Sequence, residues 1–283
     1  MAVRNVVRVV AAQPTTDGAG VRLRRSIGSR ELDQLDPFLL FDEFKSENSA
    51  EYVGGFPDHP HRGFETVTYM LAGVMEHKDH RGNTGRITAG SVQWMTAGRG
   101  IIHSEMPKQH EGLLWGFQLW INLPAKDKMC EPRYQDIPGE KIPEVTAPGQ
   151  ARVRVVAGEF MGTSGPVAGI ATHPLYLDVS LPAAARFRHE VPSGHNAFCY
   201  AVEGEGRFGD PEASDLEPLS SGYLGVLGEG DEIVVQSANG VRFLLLAARP
   251  LREPVARLGP FVMNTRDEIM QALQDFQDGH LLD

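Results

Sequence analysis

The stretch FPDHPHRGFETVTYMLAG (Phe56–Gly73) decides the fold of this chain, because two histidines one residue apart lead into an apolar, β-branched run. Further along the chain, His103 and Glu105 have the same spacing. Side chains in an extended strand alternate between its two faces. His59 and His61 therefore share one face of their strand, and His103 and Glu105 share one face of theirs. Facing strands would bring together three imidazoles and a carboxylate, a set that suits a first-row transition metal with open coordination positions.

A further carboxylate competes with Glu105 for the metal. Glu65 has the same strand parity as His61, so spacing alone does not separate the two glutamates. The two histidines of HKDHRGNTG (residues 77–85) lie in a glycine-rich turn and are expected to be exposed loop residues. The candidate ligand set from spacing is therefore the three histidines with either glutamate.

A faint internal repeat runs through the chain. Residues 69–73 (YMLAG) resemble residues 200–204 (YAVEG), and the glycine-bounded segment 90–98 resembles 222–230. The first pair is offset by 131 residues and the second by 132. Around both copies, short alternating or β-branched runs are separated by Gly, Pro, Asp and Asn, a pattern typical of sandwiches and barrels. The sequence therefore predicts an all-β protein of two similar units.

Two domains follow from this repeat, an N-terminal one at residues 1–135 and a C-terminal one at residues 136–283. The boundary lies in a segment rich in proline and charge, around residues 125–150. Shifted by the repeat offsets, the four ligand positions fall on Glu190, Pro192, Val235 and Ser237. None of these is a histidine, so we expect the metal in the N-terminal domain alone.

One helix is predicted near the C-terminus. Thr265 and Glu268, three residues apart, form a capping box. The apolar residues that follow recur at helical spacing: Ile269, Leu273 and Phe276. We expect this stripe to pack against the β-structure.

The acidic composition argues against one class of function. The chain has 27 basic and 37 acidic residues, a formal net charge of −10. Such a surface repels phosphate backbones, so direct nucleic-acid binding is not expected. No apolar run is long enough for a membrane span, and the first residues lack the pattern of a signal peptide. Two cysteines are too few for a disulfide framework, which is typical of a protein in a reducing cytoplasm. We also expect the protein to be a monomer.

The chain resembles the pirin family of two-domain cupins. The resemblance rests on DPFLLFDEF (Asp36–Phe44), FPDHPHRGFETVTYMLAG (Phe56–Gly73), QWMTAGRGIIHSEMP (Gln93–Pro107), and PLREPV with GPFVMNT (Pro250–Thr265). These stretches span both halves of the chain. The resemblance implies two tandem cupin barrels of the jelly-roll type, followed by the C-terminal helix.

The resemblance also separates the two glutamates. In pirins the carboxylate ligand follows the third histidine by two residues, which implies the ligand set His59, His61, His103 and Glu105. Glu65 then lies beside the ligands as an alternative base. The resemblance implies one divalent metal per chain, with iron expected and nickel, copper, manganese or zinc as alternatives.

Two roles are implied by the resemblance. Some pirins open the flavonol ring of quercetin with molecular oxygen, whereas others are redox-sensitive partners of transcription regulators or metabolic enzymes. We rank dioxygenase activity on a small planar phenol first, because structural metal sites tend to be closed by protein ligands. Glu105 or Glu65 is the expected general base. Phe56, Met95 and Met106 are the expected apolar walls of the substrate pocket.

Overall fold

The structure, a computed structural model, describes residues 1–213 and 216–283. Over this part of the chain it has twenty-five β-strands and one α-helix, near the C-terminus, which confirms the all-β prediction. Short 3-10 helices lie at Ser49–Glu51, Ala125–Asp127, Gly139–Lys141 and Pro148–Gln150.

The strands follow one another closely along the chain. The first twelve are β1 (Val6–Ala11), β2 (Gln13–Asp17), β3 (Val21–Ile27), β4 (Phe38–Ser46), β5 (Phe56–His61), β6 (Phe64–Ala72), β7 (Val74–Asp79), β8 (Thr84–Thr88), β9 (Val92–Thr96), β10 (Ile101–Pro107), β11 (Leu114–Asn122) and β12 (Arg133–Ile137). The others are β13 (Glu144–Thr146), β14 (Arg152–Ala157), β15 (Glu159–Phe160), β16 (Thr163–Ser164), β17 (Leu175–Leu181), β18 (Ala185–Glu190), β19 (Asn196–Phe208), β20 (Leu219–Ser220), β21 (Tyr223–Leu227), β22 (Glu232–Ser237), β23 (Val241–Ala248), β24 (Ala256–Leu258) and β25 (Phe261–Met263). Helix α1 spans Arg266–Asp278.

The chain folds into two compact units, and each unit takes residues from more than one part of the sequence. The histidine unit consists of residues 14–29, 33–140 and 251–283. The apolar unit consists of residues 1–13, 30–32 and 141–250. The predicted division at 1–135 and 136–283 differs from these units at both termini. The reason is strand pairing, since β1 pairs antiparallel with β21 and so extends the sheet of the apolar unit.

The histidine unit contains two large antiparallel sheets. One has the strand order β12-β9-β6-β11-β4-β3-β2, and the other has the order β5-β10-β7-β8. Their side chains meet in the interior, where the ring centroid of His61 on β5 lies 5.0 Å from Phe64 on β6. The same ring lies 5.3 Å from Trp120 on β11. The paired histidines therefore point between the two sheets.

The apolar unit repeats this topology. Its main path, β1-β21-β19-β23-β17-β14-β13, corresponds strand for strand to the larger sheet of the histidine unit. Tyr69 pairs with Val92 in one unit, and Tyr200 pairs with Leu224 in the other. These pairs reproduce the offsets of 131 and 132 residues in the sequence. The register therefore supports the internal repeat.

The interior of the apolar unit is filled by hydrophobic side chains. Phe187, Val235 and Phe243 are at most 1% exposed, and the rings of Phe187 and Phe243 meet edge to face at 5.6 Å. Burial of such side chains contributes about 1.5–3 kcal/mol each, so this interior stabilises the unit without any metal. The interior of the histidine unit also has hydrophobic clusters, but it contains buried polar side chains as well, among them His61, His103 and Glu105.

The C-terminal segment completes the histidine unit. The predicted capping box is present, because Thr265 Oγ1 accepts the Glu268 N–H and Glu268 Oε2 accepts the Thr265 N–H. Ile269 is buried against the segment before the helix. The buried Arg62 donates to Asp275 Oδ2, which fixes α1 to the turn after β5. Among the described residues, no helix has the length and hydropathy to cross a membrane.

Candidate metal centre

The register of β5 and β10 brings the three predicted histidines together. His59 lies opposite His103, and His61 lies opposite Ile101. The ring centroids are 4.5 Å apart for His59 and His103, 4.7 Å for His59 and His61, and 5.0 Å for His61 and His103. One ring nitrogen from each histidine lies within 4.8 Å of the other two. The three side chains can therefore hold one metal ion.

The nitrogen atoms of these rings fit a metal ion. Among the described residues, His61 Nδ1 and both ring nitrogens of His103 are buried without a hydrogen-bond partner. Leaving a buried polar atom unpaired costs about 1–3 kcal/mol. The half-buried His59 has Nδ1 2.8 Å from the carbonyl oxygen of Pro57. This contact fixes the proton on Nδ1 and leaves Nε2 as a ligand.

Burial keeps two of the imidazoles neutral. It lowers the pKa of His61 well below the ordinary value of 6.5, and the neighbouring His59 and His103 lower it further. Burial is also the main cause of the lowered pKa of His103, followed by His59 and His77. The neutral ring is the form that binds metal. The site therefore favours metal over protons.

Glu105 is buried near the histidines, but its carboxylate does not join the group formed by the three nitrogens. The pairing register of β5 and β10 shifts between His103 and Glu105. Glu105 Oε1 accepts a hydrogen bond of 2.8 Å from Thr68 Oγ1, and the same hydroxyl oxygen lies 2.8 Å from Gln118 Oε1. Its role as fourth ligand stays a prediction.

His59 and His61 line a cavity of about 370 Å³ within the histidine unit. This volume falls in the range of small-molecule sites, about 300–1,000 Å³. The polar and charged groups that line it are Asp17, Arg25, Asp42, His59, His61, Glu105, Gln118 and Arg257. Its apolar wall includes Phe56, Leu40, Phe44 and Trp120. A small molecule can therefore approach the ring nitrogens of His59 and His61.

The predicted wall residue Met95 is placed elsewhere. It is fully buried and packs in the core with Ala97 and Ile101, so the prediction that it lines the pocket is wrong. The third predicted wall residue, Met106, is half-buried and does not contribute to the described lining of the cavity. Its strand alternates faces, and Glu105 beside it points to the cavity instead.

Glu65 lies on the wrong face of its strand to assist the histidines. Thr68 on β6 contacts Glu105, so Glu65, three residues earlier, points to the opposite side of the sheet. There its Oε1 accepts a hydrogen bond of 2.7 Å from Thr96, and burial raises its pKa. The alternation of faces does not continue from His61 to Glu65, because the chain turns between β5 and β6. The prediction that Glu65 lies beside the ligands is therefore wrong.

One residue near the ligands was missed from the sequence. His77 is not an exposed loop residue, because it lies on β7, is 1% exposed and pairs opposite Glu105. Its ring stacks on Tyr134 with centroids 5.4 Å apart, and its Nε2 lies 3.6 Å from Asp136. The alternation of Met75, His77 and Asp79 is the signal that would have placed it inside.

The apolar unit does not repeat the site. By register, Phe187 pairs with Val235 and His189 pairs with Ile233, so Phe187 and His189 take the positions of His59 and His61. The sequence comparison placed Glu190 and Pro192 there. These positions are three residues too far along the chain, because the connection after β18 is longer than the connection after β5. His189 packs on Phe160 and Phe187, without a second described histidine beside it.

Both halves of the chain are similar in sequence to known proteins. Residues 20–121 match the family Pirin, and residues 176–282 match the Pirin C-terminal cupin domain. A pirin-like protein from Caulobacter vibrioides is 50% identical over 280 residues, which is 99% of either chain. Both matches together cover most of the described β-structure.

Solved structures share the same fold. The crystal structure of a quercetin 2,3-dioxygenase from Acinetobacter baumannii has a TM-score of 0.88 at 33% identity and covers 98% of both chains. A bacterial pirin from Escherichia coli, solved in complex with nickel(II), has a TM-score of 0.63 at 20% identity. It covers 88% of this chain and 98% of its own. The two predicted cupin domains are thus confirmed, and the chain belongs to the pirin family.

Proposed function

We propose that this protein is a metal-dependent dioxygenase that opens the ring of a flavonol such as quercetin with molecular oxygen. The observation that carries the proposal is the cluster of three imidazoles, two of which, His59 and His61, line a cavity large enough for a small molecule. The resemblance to the quercetin 2,3-dioxygenase of Acinetobacter baumannii supports the same substrate class. Iron is the proposed metal, and the nickel-bound bacterial pirin is one reason to test nickel as well.

The ligand nitrogens determine where the metal would sit. His59, His61 and His103 would hold it, and Glu105 is the proposed fourth ligand or general base. A divalent metal in this position supplies a Lewis acid, which lowers the pKa of a substrate hydroxyl. Glu105 lines the cavity and can accept the proton that the 3-hydroxyl of the flavonol loses. The hydrogen bond from Thr68 keeps its Oε1 in place for that role.

Apolar side chains favour a planar ligand in this cavity. Trp120 and Phe56 offer aromatic surface along its wall, and Leu40 adds aliphatic surface. Aromatic rings gain about 0.5–1.5 kcal/mol from stacked or edge-to-face contacts beyond the effect of area burial.

The test is oxygen consumption by protein that has been reconstituted anaerobically with Fe(II). We expect uptake of oxygen and release of carbon monoxide in equal amounts when quercetin is added, and neither without quercetin. The variant His61→Ala should lose both activities together with its metal. His110→Ala is the matched control, because that histidine is exposed and outside the cavity.

A protein with full iron content that consumes no oxygen with any flavonol would contradict the proposal. If such a protein instead retained a protein partner only in one iron oxidation state, the regulatory role known among pirin relatives would be favoured. The two results are separable, because the first measures turnover and the second measures binding.

A further inference from the structure

A row of polar side chains crosses the larger sheet of the histidine unit, starting beside the metal-binding residues. Thr68 on β6 is paired with Gln118 on β11, Gln118 with Asp42 on β4, and Asp42 with Arg25 on β3. Residues paired across neighbouring strands point to the same face of a sheet. Since Gln118, Asp42 and Arg25 line the cavity, the row forms a polar strip along one wall.

The side chains at each end of this row form hydrogen bonds with their neighbours. At the inner end, Thr68 contacts Glu105 and Gln118. At the outer end, Arg25 donates from Nε to Asp42 Oδ1 at 2.8 Å and from Nη2 to Asp42 Oδ2 at 2.7 Å. Among the described residues, no hydrogen bond joins Gln118 to Asp42. The row is therefore interrupted between these two side chains.

The interruption leaves unused hydrogen-bonding capacity inside the cavity. A carboxylate has about four lone-pair positions, and Arg25 occupies one on each oxygen of Asp42. Asp42 is 3% exposed, so it cannot satisfy the remaining positions freely with bulk water. Gln118 is half-buried, although its neighbours Phe117 and Leu119 on the opposite face are fully buried. Both polar groups are accessible from the cavity.

The spacing of the strands shows how far the Gln118 amide and the Asp42 carboxylate lie from the residues that would bind the metal. Neighbouring strands lie roughly 4.8 Å apart, which places Gln118 about one strand and Asp42 about two strands beyond Thr68. Trp120 is adjacent to Gln118 on the same face of β11, and its ring contacts His61. A planar ligand that reaches the metal while lying along Trp120 would extend its far end over Gln118 and Asp42.

We propose that Gln118 and Asp42 form a distal subsite that selects planar ligands carrying a hydroxyl group at the end remote from the metal. This inference rests on the proposed function, because it assumes that a flavonol binds through its 3-hydroxyl end. The hydroxyl donates its one hydrogen to Asp42 and accepts a hydrogen bond from the Gln118 amide. A ligand without it leaves these groups unpaired, which is the situation in which protein sites discriminate most strongly.

The experiment is equilibrium dialysis of iron(II)-loaded protein under nitrogen, where no turnover occurs. The probes are 3-hydroxyflavone and its 4′-hydroxy and 7-hydroxy derivatives, which differ only in a distal hydroxyl group. We expect one derivative to bind about tenfold more tightly than 3-hydroxyflavone, a difference of about 1.4 kcal/mol.

Two variants and one control test whether Gln118 and Asp42 cause this difference in affinity. The preference should fall to about threefold or less in Gln118→Met, which removes the amide, and in Asp42→Asn, which replaces the charged acceptor with a weaker neutral one. Glu43→Gln is the matched control, because Glu43 is the next residue on β4 and points to the opposite face, where it accepts from Trp115 Nε1. If Asp42→Asn does not fold, Gln118→Met carries the test alone, since Gln118 takes no part in an ion pair with Arg25.

Two failures are distinguishable. Binding of all three ligands with equal affinity, or a preference that persists in Gln118→Met, would overturn the distal subsite and leave the proposed function standing. Failure of 3-hydroxyflavone itself to bind would overturn the proposed function, because this ligand does not need the subsite.

Discussion

His59 and His103 lie directly opposite each other on β5 and β10, with ring centroids 4.5 Å apart. A cross-strand pair of imidazoles so close together cannot be protonated on both rings without strong repulsion. His61 completes the cluster from the next inward position on β5. The backbone pairing of two strands thus assembles a site of three clustered ring nitrogens that can hold a metal ion.

The variant His103→Ala should lose the metal. His103 is 1% exposed and provides one of three clustered nitrogens, so we expect metal affinity to fall by more than about 100-fold, beyond the effect of losing an outer hydrogen-bond partner. Elemental analysis after dialysis against a weak chelator measures this. His110→Ala should retain the metal content of the native protein. Equal metal content in the two variants would mean that His103 is not a ligand.

The apolar unit should hold no tightly bound metal. Its nearest equivalent to the cluster is His189, which packs against Phe160 and Phe187. We therefore expect His189→Ala to leave the metal content unchanged at one ion per chain. Anomalous scattering from crystals of the iron-loaded protein is the direct measurement. A second strong peak near His189 would show that the apolar unit has a metal site of its own.

The features that could be predicted from the sequence depend on neighbours along the chain. The two histidines of β5 share a face because they are two residues apart, and the capping box needs only Thr265 and Glu268. The repeat could be detected because its two copies kept their glycines. The histidines that form the cluster, the all-β class and the C-terminal helix could therefore be predicted without a structure.

The features that could not be predicted depend on where strands end and which strands pair. Glu65 changes face because the chain turns after His61, and no spacing rule shows that the strand stops there. His77 reaches the interior through the pairing of β7 with β10. The row that includes Gln118 and Asp42 depends on three separate strand pairings. Long-range register is not encoded in any short motif.

The stability of the metal-free protein should decrease as the pH falls below about 6.5. Burial lowers the pKa of His61 and His103 in the folded state, so the unfolded chain binds protons that the folded chain excludes. The free energy of unfolding should therefore fall with decreasing pH, by up to about 1.4 kcal/mol per pH unit for each histidine. Urea unfolding at several pH values between about 5 and 7.5 measures the slope.

The matched variant for this measurement is His103→Gln, which removes one of the two groups and keeps a polar side chain of similar size. Its slope should be shallower than that of the native protein, and the difference isolates the contribution of His103 from all other titrating groups. Identical slopes would show that His103 is protonated equally in the folded and unfolded states.

Lys128 should be essential for the stability of the histidine unit. It is 1% exposed, and its ammonium donates to Gly63 O at 2.8 Å, Asn122 Oδ1 at 2.6 Å and Val262 O at 2.9 Å. Lys128→Met leaves three buried acceptors unpaired, which should cost about 3–5 kcal/mol. Chemical denaturation provides the value. Lys126→Met, an exposed change nearby, should remain within about 0.5 kcal/mol of the native protein.

Thr68→Val should reduce turnover while the metal remains bound. The change keeps the shape of the side chain and removes the hydroxyl that donates to Glu105 Oε1. A hydrogen bond to a charged group contributes about 1.5–3 kcal/mol, so kcat should fall by about 10- to 100-fold if this bond positions the carboxylate in the transition state. Oxygen consumption with quercetin and metal content are measured on the same sample.

Thr66→Val is the control for this last experiment, because Thr66 lies two residues away on β6, is also buried and points to the same face. Any loss of activity that the two variants share comes from general repacking of the strand. A selective loss in Thr68→Val, with metal content unchanged in both, would identify the hydrogen bond to Glu105 as its cause. Equal turnover in the two variants would mean that the Glu105 carboxylate does not need the Thr68 hydroxyl to act.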